Sequence, residues 1–570
     1  MQRLPLAVPP LTLRFVCLLG ALSLSACGED GGNPAPKVQV DFDVPALATV
    51  GPDLMGIHTA VYDGLLTRSA TTETFLKDAG VTSLRYPGGS YADLYHWELH
   101  TGTPTPAAGF GGNGVYIDKA ANFGQFVKLL DRMGAHAFIT VNYGMDSAGT
   151  GPGLPEEAAA WVAYANGLPT DTQVIGVDPT GFDWQTAGYW ASLRAAMPIA
   201  PDDGKNFLRI GRPDPVGIKY WEVGNELYGN GYYYGSATSA GWEADLHAPY
   251  NGMDGRARKD NPDLHPEVYG RGFAAFAAAM KAIDPTIHTG AVIHWPFNEF
   301  SKTVGTVDWD ESVLPHACAS MDLAVNHWYP GEDKLTSLLT IPGKEIPKMF
   351  SELRTQMAQA ALGCGERGAT MPIAITEWGP NVYRDEIGEA YNPEQPIDPN
   401  APRVPLKRTQ IGGIFAAESY ANFMEQGATA VHWMQLHDRS YLNAEMGVDV
   451  PSFGYHGAVM AHHLASAGDE MVPAQSDSPT LLAHASRHQD GTLALMLTNI
   501  HQRTAASVTV NLTGVRKLGP SGARYAYVPV NGDLDGPVSD GESITSTEGG
   551  SSAVVSVPAY SVVVVVFPAS

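Results

Sequence analysis

Two glutamates, 377 − 226 = 151 residues apart, stand where acid–base chemistry on a sugar would need them. The stretch Lys219-Tyr220-Trp221-Glu222-Val223-Gly224-Asn225-Glu226-Leu227 is a β-branched and aromatic strand that stops at a glycine, then presents an amide beside a carboxylate. Far downstream, Ile373-Ala374-Ile375-Thr376-Glu377-Trp378-Gly379 is a second buried-type strand, ending in one glutamate followed by an aromatic. Cleavage of a glycosidic bond needs two carboxyl groups flanking it. One must carry a proton and the other stay ionised, a division that nearby like charges favour. Glu226 is therefore expected to be the acid/base and Glu377 the nucleophile. Taken singly, each could be an ordinary polar strand terminator; matched at both ends, they point to catalysis.

Only the fold can bring these strands together. Strand-like stretches recur at 54–59, 83–86, 137–142, 219–223, 288–293, 323–327, 373–377 and 430–434. Helical patterns lie between them. Pro155-Glu156-Glu157 opens one, with proline and acids in the first turn. Another spans 267–283, where Phe273, Phe276, Ala277 and Met280 fall at helical spacing, and a third runs from about 409 to Gly427. Eight strands alternating with helices predict an α/β fold, a (β/α)8 TIM barrel over 51–468, which gathers its active site at the carboxyl ends of the strands. A doubly wound sheet is the competing architecture, but no glycine-rich phosphate turn follows any strand. Beyond about residue 469, short runs at 492–499, 507–512, 525–530 and 553–567 are separated by Gly, Pro, Asp and Ser clusters, which predicts a C-terminal all-β sandwich over 469–570. The segment 38–50, where Val38, Val40, Phe42 and Val44 alternate with polar residues, is expected to supply a strand to it.

Composition narrows the partners. Sixty acidic against 35 basic residues give a net charge of −25, which argues against a nucleic-acid backbone. Arg3 and Arg14 precede an apolar run from Phe15 to Leu24, too short for a membrane span. The run ends in Leu24-Ser25-Ala26-Cys27-Gly28, which resembles a bacterial lipobox, so residues 1–26 are expected to be a lipoprotein signal and Cys27 the lipidated residue. A plain secretory signal is the alternative. Residues 27–37 then form a polar, flexible tether. These features predict a bacterial cell-envelope protein, periplasmic or on the surface, touching membrane only through its lipid; otherwise it is secreted. Outside the signal only Cys318 and Cys364 remain, a disulfide candidate in an oxidising compartment. No spacing resembles a zinc site, and neither metal nor cofactor is expected. Asn531 to Glu542 has the spacing of an EF-hand loop, but Pro537 and flanking strands favour a sandwich turn.

The motifs carry a resemblance. Trp221-Glu222-Val223-Gly224-Asn225-Glu226 and Thr376-Glu377-Trp378 are similar to the acid/base and nucleophile motifs of clan A glycoside hydrolases, and within the clan to family 51, the α-L-arabinofuranosidases. Leu84-Arg85-Tyr86-Pro87-Gly88-Gly89-Ser90-Tyr91, followed by Tyr95-His96-Trp97, resembles that family's second-strand motif. Asn142-Tyr143-Gly144, Glu157-Ala158 and His327-Trp328-Tyr329 follow in register. The resemblance spans about 54–434 and implies a retaining hydrolase releasing terminal furanosyl groups from an oligo- or polysaccharide. Asn225 is expected to bind the sugar 2-hydroxyl, or else to satisfy the strand end; Arg85 orients a carboxylate or closes a structural ion pair. His327 and Tyr329 stand at a strand end, where Tyr329 is placed to hold Glu377 and a core role is the alternative. Trp433 is a sugar platform or a packed core residue, and Tyr232-Tyr233-Tyr234 line subsites or face solvent. Two departures loosen the sugar assignment. Ser90 stands where the family has Asn, and the acid usual near the first strand has no counterpart beyond His58 or Asp63. Another clan A activity, a β-glycosidase or an endo-acting hydrolase, is the alternative enzyme. A surface carbohydrate-binding protein is the alternative from another class.

Overall fold

A computed structural model describes residues 35–103, 115–229, 243, 245–247, 265–295, 309–330, 335–380, 383–384, 404–445, 448–528 and 541–570. Cys27 with its signal, Tyr232 to Tyr234 and the 531–540 part of the EF-hand-like loop lie outside these residues.

The eight strand-like stretches form one closed parallel barrel. Its strands are β1 (Met55–His58), β2 (Ser83–Tyr86), β3 (His136–Val141), β4 (Tyr220–Val223), β5 (His288–Val292), β6 (Leu323–Trp328), β7 (Ile373–Trp378) and β8 (Ala430–Trp433). Each pairs with its sequence neighbours, and β8 closes on β1 through Val431 opposite Met55 and Trp433 opposite Ile57. Side chains alternate in and out along a strand. Phe138, Leu323, Val325, Ala374 and Ala430 pack together as a plug inside the barrel, with Tyr220 against them. Above this apolar layer the inward positions turn polar: Arg85, Thr140 and Glu222 are all buried. The outward residues, among them Trp221, Ile375 and Trp378, pack beneath the helices. Helices Pro155–Asn166, Pro266–Ile283 and Gln410–Glu425 lie where the apolar spacing predicts them.

The C-terminal region is a single 11-stranded sheet that curls around its own core of Val, Leu and Phe side chains. The N-terminal strand Lys37–Val40 sits in this sheet, parallel to Ala506–Leu512. The apolar run 553–567 is two strands, Ser552–Val557 and Ser561–Phe567, rather than one. Pro558 lacks an amide hydrogen and Tyr560 takes a left-handed φ of 54°, so the ladder breaks between them. His484, in a sheet strand, bridges Glu425 (2.7 Å) and Glu418 (3.2 Å) of a barrel helix and joins the two regions. Cys318 and Cys364 form a disulfide. Among the described residues, no helix is long and apolar enough to cross a membrane.

Candidate active site

Arg85 organises the carboxyl end of the barrel. It projects inward from β2, fully buried, and spends its guanidinium on three partners. Nε donates to Glu222 Oε2 at 3.0 Å, Nη1 to Glu377 Oε1 at 2.8 Å and Nη2 to Asn225 Oδ1 at 2.9 Å. A buried guanidinium is tolerable only with such compensation, and its planar fork fixes the directions of all three partners. Glu222 is held further by Thr140 Oγ1 at 3.1 Å.

Glu377 faces inward because β7 is irregular. Its pairing with β8 shifts between Ile375 and Trp378, and β6 shifts against β7 between Asn326 and His327. A bulge of this kind re-aims one side chain. Thr376 and Glu377 consequently both reach the interior, Thr376 to His327 Nε2 at 3.1 Å and Glu377 to Arg85. The Tyr329 hydroxyl donates to the other Glu377 oxygen at 2.8 Å. Burial works against ionisation of Glu377, but its neighbours, His327 and Arg85 first among them, hold its carboxyl below the ordinary value. His58 lies 3.7 Å from Glu377 Oε1, with neither ring nitrogen hydrogen-bonded; burial lowers its pKa to about 3. Gly89 approaches so closely that a Cβ there would sit 2.7 Å from Glu377 Oε1.

Glu226 comes from the turn after β4. Gly224 takes a φ of 75°, and a Cβ on it would collide with Leu227; Glu226 itself is left-handed, with a φ of 40°. The turn delivers its carboxylate to His327 Nδ1 (2.8 Å) and the Tyr228 hydroxyl (2.9 Å). One oxygen of Glu226 and one of Glu377 lie within 4.8 Å of each other, with His327 between. Their settings differ: the Glu226 side chain is 19% exposed, that of Glu377 6%.

Asn225 is positioned by its backbone, whose N–H donates to Asp93 Oδ2 at 2.9 Å. The Asn225 amide also donates to Glu243 Oε1 at 2.9 Å, and Ser90 Oγ reaches the same oxygen at 2.6 Å. Thus Arg85, Asn225, His327, Tyr329, Glu226 and Glu377 converge, with Ser90 one step behind Asn225. Trp433 does not join them. It is fully buried, its ring edge-on to Trp378 at 4.9 Å and its N–H on Ser440 Oγ at 3.0 Å, so it is core beneath the site rather than a sugar platform. Asp63 is also elsewhere, paired with His437 at 2.6 Å. Glu222, Asp93 and Glu243 were not singled out from sequence. Glu222 could have been, as an acid in the middle of an apolar strand; Glu243 carries no local signal. A separate cavity of about 320 Å³ opens near Asp53, His136 and Lys219, at the amino ends of β3 and β4, the end of a barrel associated with stability rather than chemistry.

No family model matches the chain. Among curated proteins it is 30% identical over 156 residues to a probable α-L-arabinofuranosidase C of Aspergillus fumigatus, 27% of this chain and 24% of that one. An intracellular exo-α-(1→5)-L-arabinofuranosidase of Halalkalibacterium halodurans is 24% identical over 324 residues, 56% of this chain and 50% of the relative. The matches thus span a quarter to a half of these relatives. Among solved structures, the α-L-arabinofuranosidase of Thermotoga maritima superposes with a TM-score of 0.62 at 19% identity, covering 93% of this chain and 99% of that one. A family 51 enzyme of Bifidobacterium longum gives 0.64 at 18%, covering 94% and 100%. The chain resembles the family 51 α-L-arabinofuranosidases. The structural likeness concerns the fold, and it extends to a xyloglucanase of Paenibacillus polymyxa at a TM-score of 0.56 and 12% identity, covering 94% and 99%. Of the two departures from the family 51 pattern, His58 lies against Glu377, and Ser90 donates its hydroxyl to Glu243.

Proposed function

We propose that the chain is a retaining glycoside hydrolase of the α-L-arabinofuranosidase type, releasing terminal furanosyl groups from polysaccharides. The carrying observation is the pair Glu226 and Glu377 at the ends of β4 and β7, with oxygens within 4.8 Å and unlike surroundings. Retaining enzymes hold their carboxyl groups about 5–5.5 Å apart, whereas inverting ones leave room for water between them. Glu377, kept ionised by Arg85 and its neighbours, attacks the anomeric carbon while Glu226 protonates the departing oxygen. The covalent glycosyl-enzyme is then hydrolysed by a water that Glu226 deprotonates. Tyr329 and Arg85 orient the nucleophile through its two oxygens, His327 spans both carboxylates, and Asn225 meets the 2-hydroxyl. We further propose that the enzyme is held at the bacterial cell envelope by a lipid on Cys27.

Aryl furanosides and pyranosides, presented to wild type and Glu377→Ala side by side, test this. Turnover of an α-L-arabinofuranoside by wild type alone is expected. Selective turnover of a pyranoside would keep the two-glutamate chemistry and overturn the sugar. Equal activity in Glu377→Ala would overturn the mechanism. Ser90 and Glu243 give the alternative clan A sugar its one specific support, since they change the surroundings of Asn225.

A further inference from the structure

A second constellation of ionisable groups lies away from the two glutamates. His96, Glu98 and Glu157 are all buried, and one ligand atom from each falls within 4.8 Å of the others. His96 and Glu98 come from the chain after β2, Glu157 from the first turn of helix Pro155–Asn166. Glu98 and Glu157 line a cavity of about 160 Å³ whose wall also includes Asp146, Asp178, Leu154 and Trp184. Asp178 is already engaged by Thr180, Phe182 and Trp184, and Asp146 by Thr150, which leaves the first three as the candidate donors.

The hydrogen bonding of His96 admits a tautomer that leaves Nδ1 free for a ligand. Thr103 Oγ1 lies 3.0 Å from His96 Nε2 and within reach of the backbone carbonyls of Ser147 (3.3 Å) and Asp146 (3.4 Å); when its hydrogen goes to a carbonyl, it accepts from His96 Nε2–H. In that tautomer the neutral ring turns the Nδ1 lone pair toward Glu157, whose two oxygens both lie 3.2 Å away. Lone pair against carboxylate is repulsive unless something positive stands between. Glu98 adds a second carboxylate, 4% exposed, whose Oε2 has no hydrogen-bond partner. A proton would answer part of this, and burial pushes both Glu98 and Glu157 up to about 8. A divalent cation meets the lone pair and both carboxylates at once. Two ligands about 2.1 Å from one ion are separated by roughly 3.0–3.4 Å, the spacing seen between Nδ1 and Glu157. An outer hydrogen bond from the far ring nitrogen is also how metal-bound histidines are oriented.

We propose that His96 Nδ1, Glu98 and Glu157 bind a divalent transition-metal ion such as Zn²⁺, with water in the cavity completing its shell. One imidazole and two carboxylates suit such an ion better than Ca²⁺, which takes six to eight oxygens. The ion's role is structural. It ties the segment after β2 to the helix after β3, next to Asp93, whose carboxylate carries the backbone N–H groups of Asn225 and Tyr143.

The test uses the full chain, stripped with a chelator and titrated with Zn²⁺ by calorimetry, melting temperature and elemental analysis, with Co²⁺ absorption as a spectroscopic check. One ion per chain and a melting temperature raised by several degrees are expected. Glu98→Gln can still hydrogen-bond Glu157 but removes an anionic ligand, so it abolishes both effects; Glu157→Gln repeats the test from the helix side should Glu98→Gln not fold. Glu226→Gln, in the other His/Glu cluster, leaves them unchanged. Absence of saturable binding and of any thermal shift would mean that the two carboxyls merely share a proton, and would overturn the proposal. Undiminished binding by folded Glu98→Gln or Glu157→Gln would do the same. None of these readouts depends on glycosidase activity.

Discussion

Replacing Arg85 by Lys probes the geometry most sharply. The substitution keeps one positive charge but loses the fork that reaches Glu222, Glu377 and Asn225 together. A lysine ammonium in the same space cannot take all three directions, so Glu377 Oε1 loses its 2.8 Å donor. A hydrogen bond to a charged group contributes about 1.5–3 kcal/mol, which corresponds to roughly one to two pH units. Burial is the largest influence on Glu377 and opposes ionisation; with the donor gone, its pKa rises. The nucleophile must be ionised to attack, so the acid limb of kcat/KM should move upward by about one to two units, alongside a lower plateau. The assay is the pH profile of aryl-glycoside hydrolysis for wild type and Arg85→Lys. Tyr329→Phe, which removes the donor to Glu377 Oε2, should move the same limb in the same direction. A plateau that falls while the acid limb stays put would refute the argument, because Arg85 would then be merely structural for Glu377.

Three further outcomes follow from the described geometry. His437 is pinned between Asp63 (2.6 Å) and Asp449 (3.1 Å), and although burial opposes it, these partners push its pKa up to about 9 from 6.5. A raised folded-state pKa means the stabilisation is fully present below about pH 6.5 and lost as pH rises through about 9; the gap is worth on the order of 3 kcal/mol. Denaturation of His437→Gln against wild type should show that difference near pH 6 and its shrinkage near pH 10; a pH-independent difference would count against it. Cys318→Ser opens a disulfide with a sequence separation of 46 residues, for which chain entropy predicts a loss of about 4 kcal/mol, read by urea unfolding under non-reducing conditions. His484→Ala removes a buried imidazole that its two glutamate partners hold well above its ordinary pKa. Two carboxylates are left unpaired, so a loss of about 3–5 kcal/mol is expected by calorimetry, at a pH where wild-type His484 is charged.

The amino-acid sequence by itself determined the barrel and both principal glutamates. Strand and helix periodicities are local, and a glutamate that ends an apolar strand is visible without knowing its neighbours, as Glu226 and Glu377 are. Tertiary structure decided what those strands do to each other. The simple in–out alternation of β7 cannot place Thr376 and Glu377 on one side, and only the irregular pairing with β6 and β8 does so. Arg85 read as one possible carboxylate partner, but its three simultaneous bonds depend on strands 137 to 292 residues away. Glu243 reaches Ser90 across 153 residues, which no spacing within a motif encodes. Trp433 shows the converse: an aromatic at a strand end is equally suited to a sugar face or to the core, and it was the packing of Trp378 against it that made it core. In the sequence, His96 reads as a motif residue and Glu157 as a helix-opening acid, while Glu98 carries no signal of its own. Their meeting in one buried cluster follows from how the helix after β3 docks, because local periodicity sets which face of an element is buried but not which charged groups that burial forces together.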